Sequence, residues 1–119
     1  CIRDRYNLLS YGGLRSDRDL VQVDPALSYG IFEYTRIIAL MEAGEWSRSQ
    51  LVPHAGHLLA YHAVAGLQLG AHEIAGRPDF LLSGLHDGVE IADGEGTLPQ
   101  SSGIGFETHG QLWEVLKTI

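Results

Sequence analysis

Three short apolar runs in this chain each close on an ionisable residue. They are Leu20-Val21-Gln22-Val23-Asp24, Gln50-Leu51-Val52-Pro53-His54 and, more weakly, Ala71-His72-Glu73-Ile74. Between them lie stretches with apolar residues at helical spacing: Ile31, Phe32, Ile38 and Met41 with Leu40 beside them, then Leu59, Ala63 and Leu67. Strand-like and helix-like segments that alternate in this way argue for parallel β/α units, because a parallel strand pair needs a long crossover and a helix is the usual one. In such folds the active site sits at the C-terminal ends of the strands. Asp24, His54 and Glu73 are therefore expected to meet there as an acid, a base and a second acid.

The punctuation supports the alternation. Gly12-Gly13 suits the end of a helix over Arg5 to Tyr11, since glycine accepts the left-handed backbone found past a helix end. Ser28 is the expected N-cap of the next helix and Gly44 its stop. Pro53 ends the second strand, Gly56 loosens the turn, and a third helix is expected from His57 to Gly66. From Gly76 the texture changes to a segment broken by glycine and proline. In it Gly88-Val89-Glu90-Ile91-Ala92 alternates, Asp93-Gly94 signals a hairpin, and Thr108 is placed to cap a last helix carrying Leu112, Trp113, Val115 and Leu116. Residues 1–76 thus read as β/α units, and 77–119 as a segment that packs elsewhere.

Composition narrows the partners. A formal net charge of −7 argues against nucleic acid, which needs a basic face, and no apolar run approaches the ~20 residues of a membrane span. Cys1, the only cysteine, has no internal partner for a disulfide, which fits a reducing, cytoplasmic setting. The opening Cys1-Ile2-Arg3-Asp4-Arg5, without methionine or a signal-peptide core, reads as cut from a longer chain.

Asp24 and His54 form the first candidate pair, because a carboxylate bonded to imidazole sets its tautomer and makes it a usable acid or base. The bland alternative is that Asp24 caps the turn before Pro25 and His54 simply ends a strand. His54, His57, His62 and His72 invite a zinc reading, but His57 and His62 are five apart and diverge on a helix, and no His-Glu-x-x-His occurs. Gly103-Ile104-Gly105 begins like a dinucleotide fingerprint without its third glycine or its strand–turn–helix setting.

Four stretches occur together in an order that carries a resemblance. They are Tyr6-Asn7-Leu8-Leu9-Ser10-Tyr11-Gly12-Gly13, Asp24-Pro25-Ala26-Leu27-Ser28-Tyr29-Gly30, Pro53-His54-Ala55-Gly56-His57 and Gly103-Ile104-Gly105-Phe106-Glu107. In them the chain resembles the C-terminal third of the enolase superfamily, in its mandelate racemase subgroup, and among those the acid-sugar dehydratases. The resemblance implies an α/β fold: strands six to eight of a modified (β/α) TIM-type barrel, with 77–119 returning to an N-terminal capping domain. It implies a magnesium-dependent hydro-lyase acting on a small hydroxy acid, D-tartrate first, to give oxaloacetate and water. The full-length enzyme would be a homo-oligomer, and the magnesium ligands and the lysine base would lie outside these 119 residues.

The resemblance also implies roles. His54 would be the general acid, Asp24 its orienting carboxylate, Glu73 a contact to substrate or its enolate, and His57 a substrate-side residue at the edge of the site. The 30-residue separation of Asp24 and His54 suits one helix and two loops. Other readings are a different dehydratase or racemase of the subgroup, or an inactive, truncated fragment. The departures are specific. His54-Ala55-Gly56-His57-Leu58 stands where the family reads His-Gly-Gly-His-Gln, and Ala55 would be strained if its position needs positive φ. Ala71-His72-Glu73 stands where it reads Gly-Asn-Glu, and Phe80-Leu81-Leu82-Ser83-Gly84-Leu85 is a degraded form of a Phe-Gln-Pro-Phe-Gly-Gly stretch.

Overall fold

The computed structural model describes residues 12–74, 85, 89–98, 100 and 102–119. The expected helix over Arg5 to Tyr11, the boundary at 76/77 and most of 77–88 lie outside the described residues. The described elements are β1 (Val21–Gln22), α1 (Ile31–Ala43), a 3₁₀ turn (Arg48–Gln50), β2 (Leu51–Val52), α2 (Leu58–Leu67), β3 (Ile91–Ala92), β4 (Glu95–Gly96), a second 3₁₀ turn (Phe106–Thr108) and α3 (Gly110–Leu116).

β1 and β2 pair in parallel, Val21 opposite Leu51 and Gln22 opposite Val52, with α1 as the crossover between them. Both chains therefore leave the pair at the same end, which puts the loops after Gln22 and after Val52 side by side. Tyr34, Ile37, Ile38 and Met41 of α1 pack onto this pair in one cluster with Val23, Trp46, Leu51, Ala63 and Leu69. Their spacing of three, one and three residues is one face of a helix. Ile31 and Phe32, which the sequence suggested for that face, are exposed.

The reason lies at the start of the helix. Ser28 is not its N-cap. The Ser28 amide donates to the Asp24 carbonyl at 3.0 Å, the hydroxyl donates to the same oxygen, and the Gly30 amide donates to Pro25 O at 3.1 Å. These bonds close a separate turn over 24–28. Tyr29 (φ 65°) and Gly30 (φ 91°) then break it, and α1 starts afresh at Ile31 with a different phase.

α2 starts one residue later than expected, with His57 as its N-cap. Its buried residues are Leu58, Ala60, Tyr61 and Ala63; Leu67 packs half-buried against the core cluster, as expected with Ala63, and Leu59 is half-buried. Residues 71–74 form no strand, contrary to the expectation of a third one. The Gly70 amide does reach the Leu51 carbonyl at 3.1 Å, but no ladder follows. The side chains of His72 and Glu73 turn instead to Tyr61 and to the loop after β2.

The Asp93-Gly94 hairpin is present: β3 and β4 pair antiparallel, and both turn residues have positive φ, 52° and 82°. That is the requirement of a type I′ turn, which Asp-Gly meets at low cost. Thr108 does not cap α3. Its hydroxyl donates to Gly105 O at 2.9 Å and closes the 3₁₀ turn, leaving His109 at the N-cap.

Candidate functional site

Asp24 lies two residues past the end of β1, beside the buried Val23, and is itself buried. One oxygen, Oδ1, accepts the Ala26 amide at 2.6 Å, the Leu27 amide at 3.0 Å and the His57 imidazole at 3.2 Å. Asp24 therefore does two things at once: it caps the turn made rigid by Pro25, and it holds a ring from the neighbouring strand's loop. Burial is the largest influence on its carboxyl and pushes its pKa up. The Leu27 amide, the His57 ring and the Ala26 amide outweigh burial together and hold it below the ordinary carboxylate value.

The imidazole that Asp24 holds is His57, not His54. The His57 Nδ1 accepts the Ala60 amide at 3.1 Å, as an N-cap side chain does, so Nε2 carries the proton and donates to Asp24. The ring is 17% exposed and the Asp24 side chain 7%. His54 is exposed and makes no hydrogen bond or ion pair among the described residues. The expected Asp24–His54 bond is thus replaced by Asp24–His57. The cause is local geometry: Pro53 is buried, Ala55 and Gly56 both take positive φ (79° and 55°), and the chain reverses so that His57 faces back to β1.

Glu73 comes into the same mouth. Its Oε2 accepts the Ala55 amide at 2.7 Å and the Gln22 side-chain amide at 3.3 Å. Asp24, His57 and Glu73 are therefore gathered around the two loops, with His54 on the outer side of one of them. The positive φ at Ala55 is the condition under which the sequence expected strain there. Gln22 belongs to this arrangement too. Its only signal in the sequence is its place one residue before Val23 and Asp24, at the end of a strand.

His72, next in sequence to Glu73, packs on Tyr61 with ring centroids 5.2 Å apart, and neither of its buried nitrogens has a hydrogen-bond partner among the described residues. Burial, then the nearby His57, lowers its pKa to about 4 against a smaller opposing pull from Glu73. The Tyr34 hydroxyl is buried without a partner as well, and burial and the Asp24 charge raise its pKa. His62 stands apart, its Nε2 bonded to Ile104 O at 3.0 Å. A cavity of about 420 Å³ lies between α2 and the β3–β4 hairpin, lined by Tyr61, Val64, His72, Ile91 and Leu98 among others, and by none of Asp24, His54, His57 and Glu73.

Among the described residues no three His, Cys, Asp or Glu side chains come together as a metal would need. The magnesium ligands that the resemblance implies are expected outside these 119 residues. No described helix is long and apolar enough to cross a membrane. No family model matches the chain.

Proposed function

We propose that the chain is the strand-six to strand-eight part of an acid-sugar dehydratase of the enolase superfamily, with D-tartrate dehydratase as the nearest activity. The observation that carries this reading is the carboxylate–imidazole pair between loops that follow two adjacent parallel strands, with a second carboxylate, Glu73, in the same mouth. The reading places the enzyme in the cytoplasm, as a homo-oligomer with a small hydroxy acid as its substrate and no nucleic-acid or membrane partner. A magnesium ion would supply charge stabilisation of the aci-carboxylate from ligands elsewhere in the enzyme.

In this reaction the C2 proton leaves, the C3–oxygen bond breaks, and the departing hydroxide takes a proton to become water. The resulting enol tautomerises to oxaloacetate. The last proton needs an acid whose ring is free to face substrate. His57 is a poor donor for it, because Nδ1 accepts the Ala60 amide and Nε2–H donates its hydrogen bond to Asp24. His54, exposed three residues earlier in the same loop, has no such obligation and is the proposed general acid. Asp24 and His57 then form the rigid floor that fixes the loop carrying it. The base must come from elsewhere. The chain's single lysine, Lys117, is 2.7 Å from Glu114 and lies over the Trp113 ring in α3, so the 119 residues alone are expected to be inactive.

The test is turnover by the protein of the full open reading frame that contains these residues, with magnesium and a panel of hydroxy acids. Oxaloacetate formation from D-tartrate is expected. His54→Ala should lower kcat by about 10²-fold or more, with KM little changed, as loss of a proton donor does. Exchange of the C2 proton without water loss would shift the assignment to a racemase. No turnover of any hydroxy acid would end the dehydratase reading.

A further inference from the structure

Three segments that are distant in sequence meet at one oxygen atom. Gln22 ends β1, Ala55 lies in the loop carrying His54 and His57, and Glu73 follows α2; Glu73 Oε2 accepts from the first two at 3.3 and 2.7 Å. Ala55 holds φ at 79°, a conformation that glycine takes readily and alanine seldom does. Its amide donates to the Glu73 carboxylate, so that side chain grips the loop at the residue whose backbone is unusual. The next residues, Gly56 and His57, carry the ring to Asp24. A loop free to relax at Ala55 would swing His57 off Asp24 and move His54 with it.

We propose that Glu73 is a positioning residue: its carboxylate latches the 53–57 loop to the end of β1, and so sets both the Asp24–His57 contact and the place of His54. Oε2 is engaged by the two protein donors, which is the contact that the proposal assigns to this side chain. The latch itself is a matter of backbone geometry, and only its effect on turnover rests on the dehydratase reading.

The experiment compares Glu73→Ala, Glu73→Gln and the double variant Glu73→Ala/Ala55→Gly in the full chain, with far-UV circular dichroism as a check on folding. Its readouts are hydrogen exchange at the Ala55 amide and the His57 Nε2–H resonance. In E73A the Ala55 amide is expected to exchange about tenfold faster, in line with the loss of one hydrogen bond, and the Nε2–H signal to be lost. E73Q keeps an acceptor oxygen and should restore both, and A55G in the E73A background should recover the His57 signal, since glycine holds the turn without the latch. Ala55 exchange in E73A within twofold of the parent chain overturns the proposal. If E73A fails to fold, E73Q decides: protection kept supports the latch, and protection lost tenfold overturns it.

For turnover, the latch predicts a fall in kcat for E73A with KM near the parent value and recovery in E73Q. A rise in KM shared by both variants would mark Glu73 as a substrate contact and overturn the proposal. Absence of turnover in the parent protein would refute the dehydratase reading alone, since the amide readout still decides the latch.

Discussion

Two ionisable side chains near the loop after β2, His72 and Asp24, are both held below their ordinary values, and they separate in an unfolding experiment. His72 is neutral in the fold, with its pKa lowered from the ordinary 6.5 to about 4 chiefly by burial. As the pH falls from 6.5 to 4 the unfolded chain takes up this proton and the folded chain does not. Stability should therefore fall through that window by on the order of 1 kcal/mol, allowing for partial exposure, and then level off. Asp24 works lower. Its folded carboxyl is held below the ordinary 3.8 because its amide and imidazole partners outweigh burial, so its contribution is intact above that value and lost as the pH drops through the folded one. Urea unfolding at a series of pH values checks this: His72→Leu should flatten the profile between 6.5 and 4 and leave the steeper loss below it. An unchanged slope in that variant would mean that the buried ring is not the group responsible.

At the scale of elements, the decisive contact is between the segment after α2 and the turn before β2. A Cβ built on Gly70 would lie 1.9 Å from the Ser49 carbonyl oxygen, an approach that no real side chain makes. This closeness lets the Gly70 amide reach Leu51 O and sends Glu73 toward the loop after β2. Gly70→Ala is expected to cost about 1–3 kcal/mol and to loosen the Ala55 amide, because backbone rather than a flexible side chain must yield. Chemical denaturation with amide exchange at Ala55 measures both. The turn before β2 is itself well tied. Ser47 and Gln50 cap each other across it, and the Gln50 side-chain amide donates to Ser16 O and Asp19 O at 2.7 and 3.1 Å. The lead-in to β2 is thereby fixed to the lead-in to β1, which sets the register of a sheet only two residues wide.

On the scale of the whole molecule, the apolar surface left uncovered is as informative as the core. Leu20, Leu27, Tyr29 and Phe32 flank β1 and the start of α1 with exposures of 66%, 67%, 78% and 73%. Parallel sheets are found almost only with both faces covered, and among the described residues no third strand pairs with either edge of this one. The 119 residues on their own should therefore associate in water. Light scattering after gel filtration is expected to give a mass above the monomer's, and Leu27→Lys with Phe32→Lys should lower it. A monomer at all concentrations would mean that these side chains find cover within the chain.

The local order of this protein was written in its residues. The β/α alternation, the parallel pairing it implies, the glycine stop after α1 and the Asp93-Gly94 hairpin all follow from short-range preferences that neighbours enforce. What only the tertiary structure decided is who meets whom. Asp24 and His54 are plausible partners along the chain, but the reversal at Ala55 and Gly56 presents His57 to the carboxylate and leaves His54 outside. The absence of a strand at 71–74, the burial of Tyr34 in place of Phe32, and the loss of Ser28 to the Asp24 turn have the same origin. No periodicity in the sequence records these outcomes; they are settled by turn hydrogen bonds and by packing between segments.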